Sequence, residues 1–539
     1  MSTSTALRAG AAVLTAALAL ATAGCGGSDK KATPKNVEPT AVTPEPPSGA
    51  GAAYAETAVP ANGGELAAQP SGRVIAKSGF DIKTDGFAFR NYGPGTPQMR
   101  TQEIREIYGS KVCIDPSAST CTLTPEAERW RVMENQAVAG GHCYGFSSLA
   151  LALRRGTASV SAYHGGPTTF DLRIADATRK LTNPDLDADI SRDAAMQDVP
   201  GVRAKTLFLS PRQVISKLRS AFAAGDDNWV LGFIQPGVGG HAVVPTAIED
   251  MGGGKFDILL YDNNFPYIPS APASSERRFH IDTNADRWNY TISIRPDVAE
   301  DQWTGQGTKI PLILVNAKSQ SLPQRCPFCG KSGGSSNNGQ GLGSATVQTE
   351  VVLTGDAAKH GRLRITDKDG NVTGWNGTAY VNDIPDADIA QSFSLDRSKI
   401  APEPRYFVPA GETYKIELVD VPADAPAGTV HVSGPGLGVG LSRLTDGGAS
   451  LTVASDGAVA VDQADGADVA PLLQVAVNGD RQVSIVPRSD KLKLTPAGGD
   501  NLKITGKVEK ATAKNPDTGK TDSVGSGTFD LSDSVGTTG

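Results

Sequence analysis

The sequence predicts an α+β fold in which helices come first, antiparallel strands follow, and an all-β tail completes the chain. Three observations carry this reading. Between about residues 124 and 225, apolar residues recur at helical spacing between recognisable caps. From Trp229 to Val315 the pattern changes to short apolar runs broken by Gly, Asn and Asp. Beyond a Gly/Ser-rich segment, Lys331 to Ala345 (KSGGSSNNGQGLGSA), short alternating runs continue, as in one or two β-sandwich modules. Helices followed by a block of strands exclude a doubly wound parallel sheet, which needs the two to alternate.

Order is expected to begin near Arg73, where Val74-Ile75 and Phe80-Asp81-Ile82 start a β-like alternation. A first helix starts at Pro125 behind a Thr124 cap and puts Trp130 and Met133 on one face. A second starts at Cys143, with Phe146, Leu149, Ala150 and Leu153 at helical spacing. The third has Ser210 as cap, Pro211 next, Val214, Ile215, Leu218 and Phe222 as its stripe, and Gly225 as stop. Strands are expected over 229–234, 241–248, 256–261, 290–294 and 311–315. In the tail, 347–353, 363–365, 414–418 and 483–486 read as strands. Asp367-Lys-Asp-Gly-Asn371 looks like a calcium loop, but Gly370 comes too early and no glutamate closes it, so a hairpin turn is expected.

Composition narrows the function. A chain of 539 residues has room for several cores, and 39% hydrophobic with 20% charged residues suits a globular protein rather than a disordered or membrane-embedded one. A net charge of -7 without any block of Lys and Arg excludes the nucleic-acid backbone as partner. At the N-terminus, Arg8 precedes an apolar run from Ala11 to Ala23, too short for a membrane span but right for a signal segment. Ala23-Gly24-Cys25, followed by Gly-Gly-Ser-Asp, resembles a bacterial lipoprotein signal, although Thr22 stands where an aliphatic residue is usual. The resemblance implies a lipid on Cys25 and export to the outer face of the cytoplasmic membrane. An ordinary signal peptide cut near Ala23 is the alternative. Residues 26–68, rich in Pro, Ala, Gly, Thr and Glu, then read as a tether. The expected domains are 1–25 signal, 26–68 tether, 69–318 α+β domain, 319–345 linker, 346–435 first β module and 436–539 second β-rich module.

Of the six cysteines, Cys25 is taken by the lipid, and outside the cytoplasm four others are expected to oxidise. They allow three connectivities; the local pairs Cys113–Cys121 and Cys326–Cys329 are favoured. Cys326-Pro-Phe-Cys329-Gly also resembles half a zinc knuckle, but a complete site needs four ligands and only Cys113 and Cys121 remain to supply them. Cys143 is left as a lone thiol. Preceded by Gly140-Gly141-His142, it opens an apolar helix, where the positive end of the dipole favours a thiolate and the first-turn N–H groups are free to bind a negative oxygen.

Downstream stands Gly239-Gly240-His241-Ala242-Val243, then a glycine turn, then a strand ending in Asp262-Asn263-Asn264. If the hairpin turns between Met251 and Gly252, His241 faces Asp262; a centre one residue later puts it opposite Asn264. Either could hold the imidazole in its working tautomer, with Asp262 favoured. Taken singly these residues are ordinary. A lone cysteine on an apolar helix is commonly core, a histidine after glycines begins a strand, and Asp-Asn-Asn is a turn. In this order, however, Gly141-His142-Cys143-Tyr144 resembles the Gly-x-Cys-aromatic element of the papain-like cysteine peptidases, and Gly240-His241-Ala242-Val243 their histidine element. The resemblance covers roughly residues 73–318 and implies Cys143 as nucleophile, His241 as general base and acid, Asp262 as the orienting group and Gln136 as oxyanion donor. It is to the superfamily and not to the papain family proper: Gln136 stands seven residues before the cysteine, Gly140 replaces a disulfide cysteine, and the Asn-Ser-Trp element is missing. His142 reads as structural.

The expected activity is therefore a thiol hydrolase on amide bonds, with protein or peptide substrates, cell-wall peptide among them, and no cofactor. Nothing in the spacing of Cys143, His241 and Asp262 demands a metal. Gly141-x-Cys143 followed by Leu149, Leu151, Leu153 and Arg154 also looks like a transglutaminase core. The wide gap to His241 and the lack of an Asp-Pro pair count against it. A non-catalytic surface lipoprotein whose β modules bind a partner is the remaining alternative.

Overall fold

A computed structural model describes residues 71–523 except 93–97, 139, 177–179, 237, 271, 293–300, 330–347, 356–360, 394–402, 422–427, 436, 443–448, 457, 464–471, 478–481, 497–501 and 515–520. The signal segment with Cys25, nearly all of the tether and most of the Gly/Ser linker lie outside the described residues.

Mixed α and β structure is present, as expected, with antiparallel sheets. Among the described residues six helices precede the main block of strands: α1 (Thr101–Tyr108), α2 (Pro125–Ala137), α3 (Cys143–Arg155), α4 (Pro184–Ala195), α5 (Pro200–Arg203) and α6 (Pro211–Ala223). All three helices read from the sequence are present, and the two with an expected cap have it. Thr124 Oγ1 accepts from Ala127 N at 3.3 Å, Ser210 and Gln213 form a capping box, and Gly225 sits at φ 69° just past α6. Helices α1, α4 and the short α5 were not anticipated.

The first sheet holds β1 (Arg73–Lys77), β2 (Leu207–Leu209), β3 (Trp229–Gln235), β4 (Gly239–Gly252), β5 (Lys255–Tyr261), β6 (Arg277–Asp282), β7 (Arg287–Ile292), β8 (Asp301–Gln306) and β9 (Leu312–Asn316). Its order is β2-β9-β3-β4-β5-β6-β7-β8, with β1 also on β4. The long strand β4 pairs with β3 through its first half and with β1 and β5 through its second. The sheet curls far enough for Thr304 N on β8 to reach Gln235 Oε1 on β3 at 3.3 Å. Phe80–Ile82, expected to continue β1, instead forms a turn held by Asp81 and Asp85 side chains.

Helices pack against one another and one side of this sheet around Trp130, Phe146, Leu149, Ala242 and Val244. A second core lies where α6 meets Phe233, Phe279, Trp288 and Tyr290. Two disulfides join Cys113 to Cys121 and Cys326 to Cys329, the local pairing expected. The second sets Phe328 edge-on against Tyr108 at 5.3 Å.

From Gln348 onward the chain forms a fifteen-stranded antiparallel sheet. Asp367–Asn371 is a hairpin turn, with Gly370 at φ 87° and Asp367 Oδ1 accepting from Asp369 N and Asn371 N. The boundary expected at 435/436 falls inside a hairpin, since Gly434 pairs with Leu437, and one core runs from Val351 to Leu494. Alternation and turn residues mark strands but not which strands share a core, and that is why the sequence suggested two modules.

Candidate active site

The site begins at the first residue of α3. His142 is the N-cap; its N–H donates to Asn91 Oδ1 at 2.8 Å, and its carbonyl accepts the Phe146 N–H. The N–H groups of Cys143, Tyr144 and Gly145 therefore precede the first intrahelical bond, as at any helix start. Glycine at 145 has a packing cause: a Cβ there would lie 2.0 Å from Ile190 O on α4. The absence of that carbon lets α3 and α4 approach closely.

On the sheet, His241 pairs with Phe233 across β3 and β4, and the two rings meet edge to face at 5.7 Å. His241 Nε2 lies 2.8 Å from Asp262 Oδ1, with both side chains fully buried. Asp262 is held further by the Asn264 N–H on Oδ1 at 2.8 Å and the Tyr290 hydroxyl on Oδ2. Burial alone would raise its pKa, but His241 and these donors hold the carboxyl below its ordinary range. For His241, burial opposes the imidazolium; the Asp262 charge and hydrogen bond overcome that, and the neighbouring Cys143 sulfur adds to them, pushing the ring up to about 10. With Nε2–H given to Asp262, Nδ1 is the nitrogen left for the thiol, and it closes no well-formed hydrogen bond.

The register behind this pairing is not the favoured one but that of the alternative, whose continuation would set His241 opposite Asn264. Val244 lies opposite Tyr261, whereas facing His241 with Asp262 would have put Val244 opposite Leu259. The hairpin turns between Gly253 and Gly254, where Gly252 pairs with Lys255, two residues later than expected, and two bulges in the β4–β5 ladder, at Pro245/Ala247 and Asp250/Gly252, recover only part of that shift. Asp262 reaches His241 because the chain leaves the sheet after Tyr261 and turns, Phe265 N bonding to Asp262 O at 2.9 Å. Asn264 does not face His241. Its side chain accepts from Asn91 Nδ2 at 3.1 Å and its carbonyl from Arg90 Nε at 2.7 Å.

Asn263, which read as turn filler, joins helix to sheet. Its amide nitrogen lies 3.0 Å from Cys143 O, 2.9 Å from Ala242 O and 3.2 Å from Ser147 Oγ. Gln136 stays apart: it is exposed near the end of α2, outside the buried group of Cys143, His241 and Asp262. His142 is buried with Nδ1 2.9 Å from Tyr92 O, and burial lowers its pKa to about 4, so it stays neutral.

Sequence reasoning missed two further participants. Tyr290 is one of several strand aromatics, and nothing local marks its hydroxyl as a carboxylate donor. Phe393 lies 250 residues beyond Cys143, yet its carbonyl receives the Cys143 Sγ–H at 3.3 Å. Cys143 is the one free cysteine among the described residues, and it is fully buried. No group of three or more His, Cys, Asp or Glu residues placed to hold a metal ion occurs among the described residues, nor is any described helix long and apolar enough to cross a membrane. No protein-family model matches the chain, and no curated protein or solved structure does either.

Proposed function

We propose that this protein is a thiol hydrolase of amide bonds, built on the plan of the papain-like superfamily. Cys143 acts as nucleophile, His241 as proton carrier and Asp262 as its orienting partner. The observation that supports it most is His241, fully buried, tied through Nε2 to a carboxylate, and with Nδ1 unpaired beside the free thiol. His142 and His431 also each leave one buried ring nitrogen unpartnered; what sets His241 apart is a carboxylate on its far nitrogen and a free thiol beside the near one.

The sulfur, its proton on His241, attacks the carbonyl carbon and forms a C–S bond; the oxygen takes the negative charge beside the first-turn N–H groups of α3. His241 Nδ1 gives its proton to the amide nitrogen, the C–N bond breaks, and the amine leaves a thioester on Cys143. Water then gives a proton to Nδ1 and its oxygen to the carbonyl carbon. The C–S bond breaks, releasing the acid and restoring the thiol pair. Asp262 stays ionised throughout and fixes the tautomer. The same proposal has the protein exported and held by a lipid on Cys25, acting on protein or peptide, cell-wall peptide among the candidates.

One observation favours a second reading, a non-catalytic surface protein on the same scaffold: the thiol is covered and bonded to a backbone carbonyl. The two are separated by assaying the full chain and its Cys143→Ala variant on peptide mixtures and purified cell wall. Hydrolysis that falls at least about 10³-fold in the variant supports the peptidase. Activity unchanged by the substitution sinks the mechanism, and incorporation of an added primary amine marks acyl transfer. If nothing is cleaved and Cys143 alkylates at the same rate in a His241→Ala chain, the non-catalytic reading stands.

A further inference from the structure

The thiol is covered by chain from the β-rich tail. After the strand Asp388–Ala390, residues Gln391 to Phe393 run across the site. Phe393 is held at both ends of its backbone: its N–H donates to Gln197 Oε1 at 2.6 Å, and its carbonyl accepts from Cys143 Sγ at 3.3 Å. Before it, Ser392 Oγ donates to Asp198 Oδ2 at 2.9 Å. The Phe393 ring stacks on Tyr144 at 6.0 Å between centroids. It also lies against the backbone of β3, where a Cβ on Gly232 would come within 2.2 Å of the ring. A Cβ on Gly240 would likewise meet Ser392 O and Phe393 Cα at 3.1 and 3.2 Å. An open cavity of about 440 Å³ adjoins the ring, with Ile234, Arg203 and Phe208 in its walls.

These are the contacts an extended peptide makes with its receptor: main-chain hydrogen bonds for grip and a shaped slot for one side chain. The slot exists because residues 232 and 240 are glycine and Tyr144 supplies an aromatic wall. The carbonyl of the residue in the slot is the one at the nucleophile.

We propose that Gln391–Phe393 is a resident occupant of the acyl side of the cleft, and that the substrates are extended peptides with an aromatic side chain on the residue whose carbonyl is attacked. The inference rests on reading Cys143 as the nucleophile. Its corollary is that the folded chain is closed until this segment moves, so a substrate competes with Phe393 for the slot. A ligand must exceed the resident's hold before it binds, which lowers apparent affinity by the fraction of open protein.

The test uses the full chain as wild type, Phe393→Ala and Gly232→Ala, with iodoacetamide labelling of Cys143 mapped by mass spectrometry. Two probes, acetyl-Gln-Ser-Phe aldehyde and acetyl-Gln-Ser-Ala aldehyde, compete with the labelling through a reversible hemithioacetal. Phe393→Ala should label at least tenfold faster than wild type, and the Phe probe should protect it at a concentration at least tenfold below the Ala probe. Gly232→Ala should also label faster, because the new methyl expels the ring, but the Phe probe should lose its advantage there. Labelling of both variants within twofold of wild type overturns the covering role, and equal protection by the two probes in Phe393→Ala overturns the aromatic slot. Failure of the peptidase reading looks different: labelling and the Phe preference behave as expected, but neither changes in a His241→Ala background and no peptide is cleaved. A cooperative thermal melt qualifies each variant. Should Phe393→Ala fail it, Ser392→Ala loosens the segment with the slot intact, and the same outcomes apply.

Discussion

Tyr290 shows how one side chain can act on a histidine through the carboxylate between them. Its hydroxyl is one of three donors on Asp262, and by favouring the carboxylate it supports the raised pKa of His241. Tyr290→Phe should lower unfolding free energy by roughly 1.5–3 kcal/mol at neutral pH, the range for a hydrogen bond to a charged group. The pH dependence gives the sign. Asp262 is depressed in the folded chain, so its contribution is present above its ordinary value of 3.8 and is lost as pH falls through the folded value. The gap between wild type and Tyr290→Phe, followed by denaturant unfolding, should therefore be widest near neutrality and close in acid. A gap that persists unchanged below pH 3 would mean that the hydroxyl serves packing and not the carboxylate.

Helix α3 owes its position to Gly145 as much as to its apolar face. Phe146, Leu149, Ala150 and Leu153 bury it, but only a residue without Cβ lets it lie against the Ile190 carbonyl of α4. Alanine is the better helix former by about 1 kcal/mol, and in an open helix Gly145→Ala would stabilise. Here overpacking should win and destabilise by about 3 kcal/mol, the upper end for a tight core, because the obstacle at 2.0 Å is backbone. Gly156→Ala makes the control on the same helix. Nothing lies within 4 Å of a Cβ there, so the cost should be only the left-handed strain at φ 70°, about 1 kcal/mol. Denaturation midpoints of the two variants check the order; equal losses would show that α4 yields without cost.

Arg405 ties the tail to the helical part of the molecule. Its buried guanidinium meets Glu134 of α2 through two bonds of 2.7 Å, Glu350 at 2.6 Å and Asp198 at 3.2 Å. Its Nε also lies 3.1 Å from Ser392 Oγ, beside the segment that covers Cys143. One cation among three buried carboxylates leaves excess negative charge. Burial pushes Glu134 up to about 8; Arg405 opposes the rise, and Glu350 adds to it. Folding therefore takes up a proton that the unfolded chain, with its glutamate near 4.5, releases. That raised value makes stability fall as pH climbs from about 4.5 to 8, by on the order of 1 kcal/mol per pH unit for one group. Glu134→Gln, which keeps an acceptor for Arg405 without the charge, should flatten this slope and melt above wild type at pH 8.5. An equal loss of stability at pH 6 and 8.5 would show instead that the Glu134 charge on Arg405 is needed.

The sequence by itself determined the local pieces. Thr124-Pro125 and Ser210-Pro211 start helices whatever surrounds them, because caps and proline act within one turn. Alternating runs mark strands, and short loops between cysteines favour local disulfides. Cys143 at a helix start, His241 after two glycines and Asp262 at a strand end were legible as types in an order. Tertiary structure alone decided how they meet. The β4–β5 hairpin turned two residues later than expected, bulges in its ladder recovered only part of the shift, and a turn, not the ladder, delivered Asp262. Gln136, chosen by spacing, ended exposed on α2, while Tyr290, Asn263 and Phe393 arrived from positions with no local signature. The physical reason is range: caps, turns and periodicity are settled by neighbours along the chain, whereas register, burial and who covers a thiol depend on packing among residues hundreds of positions apart.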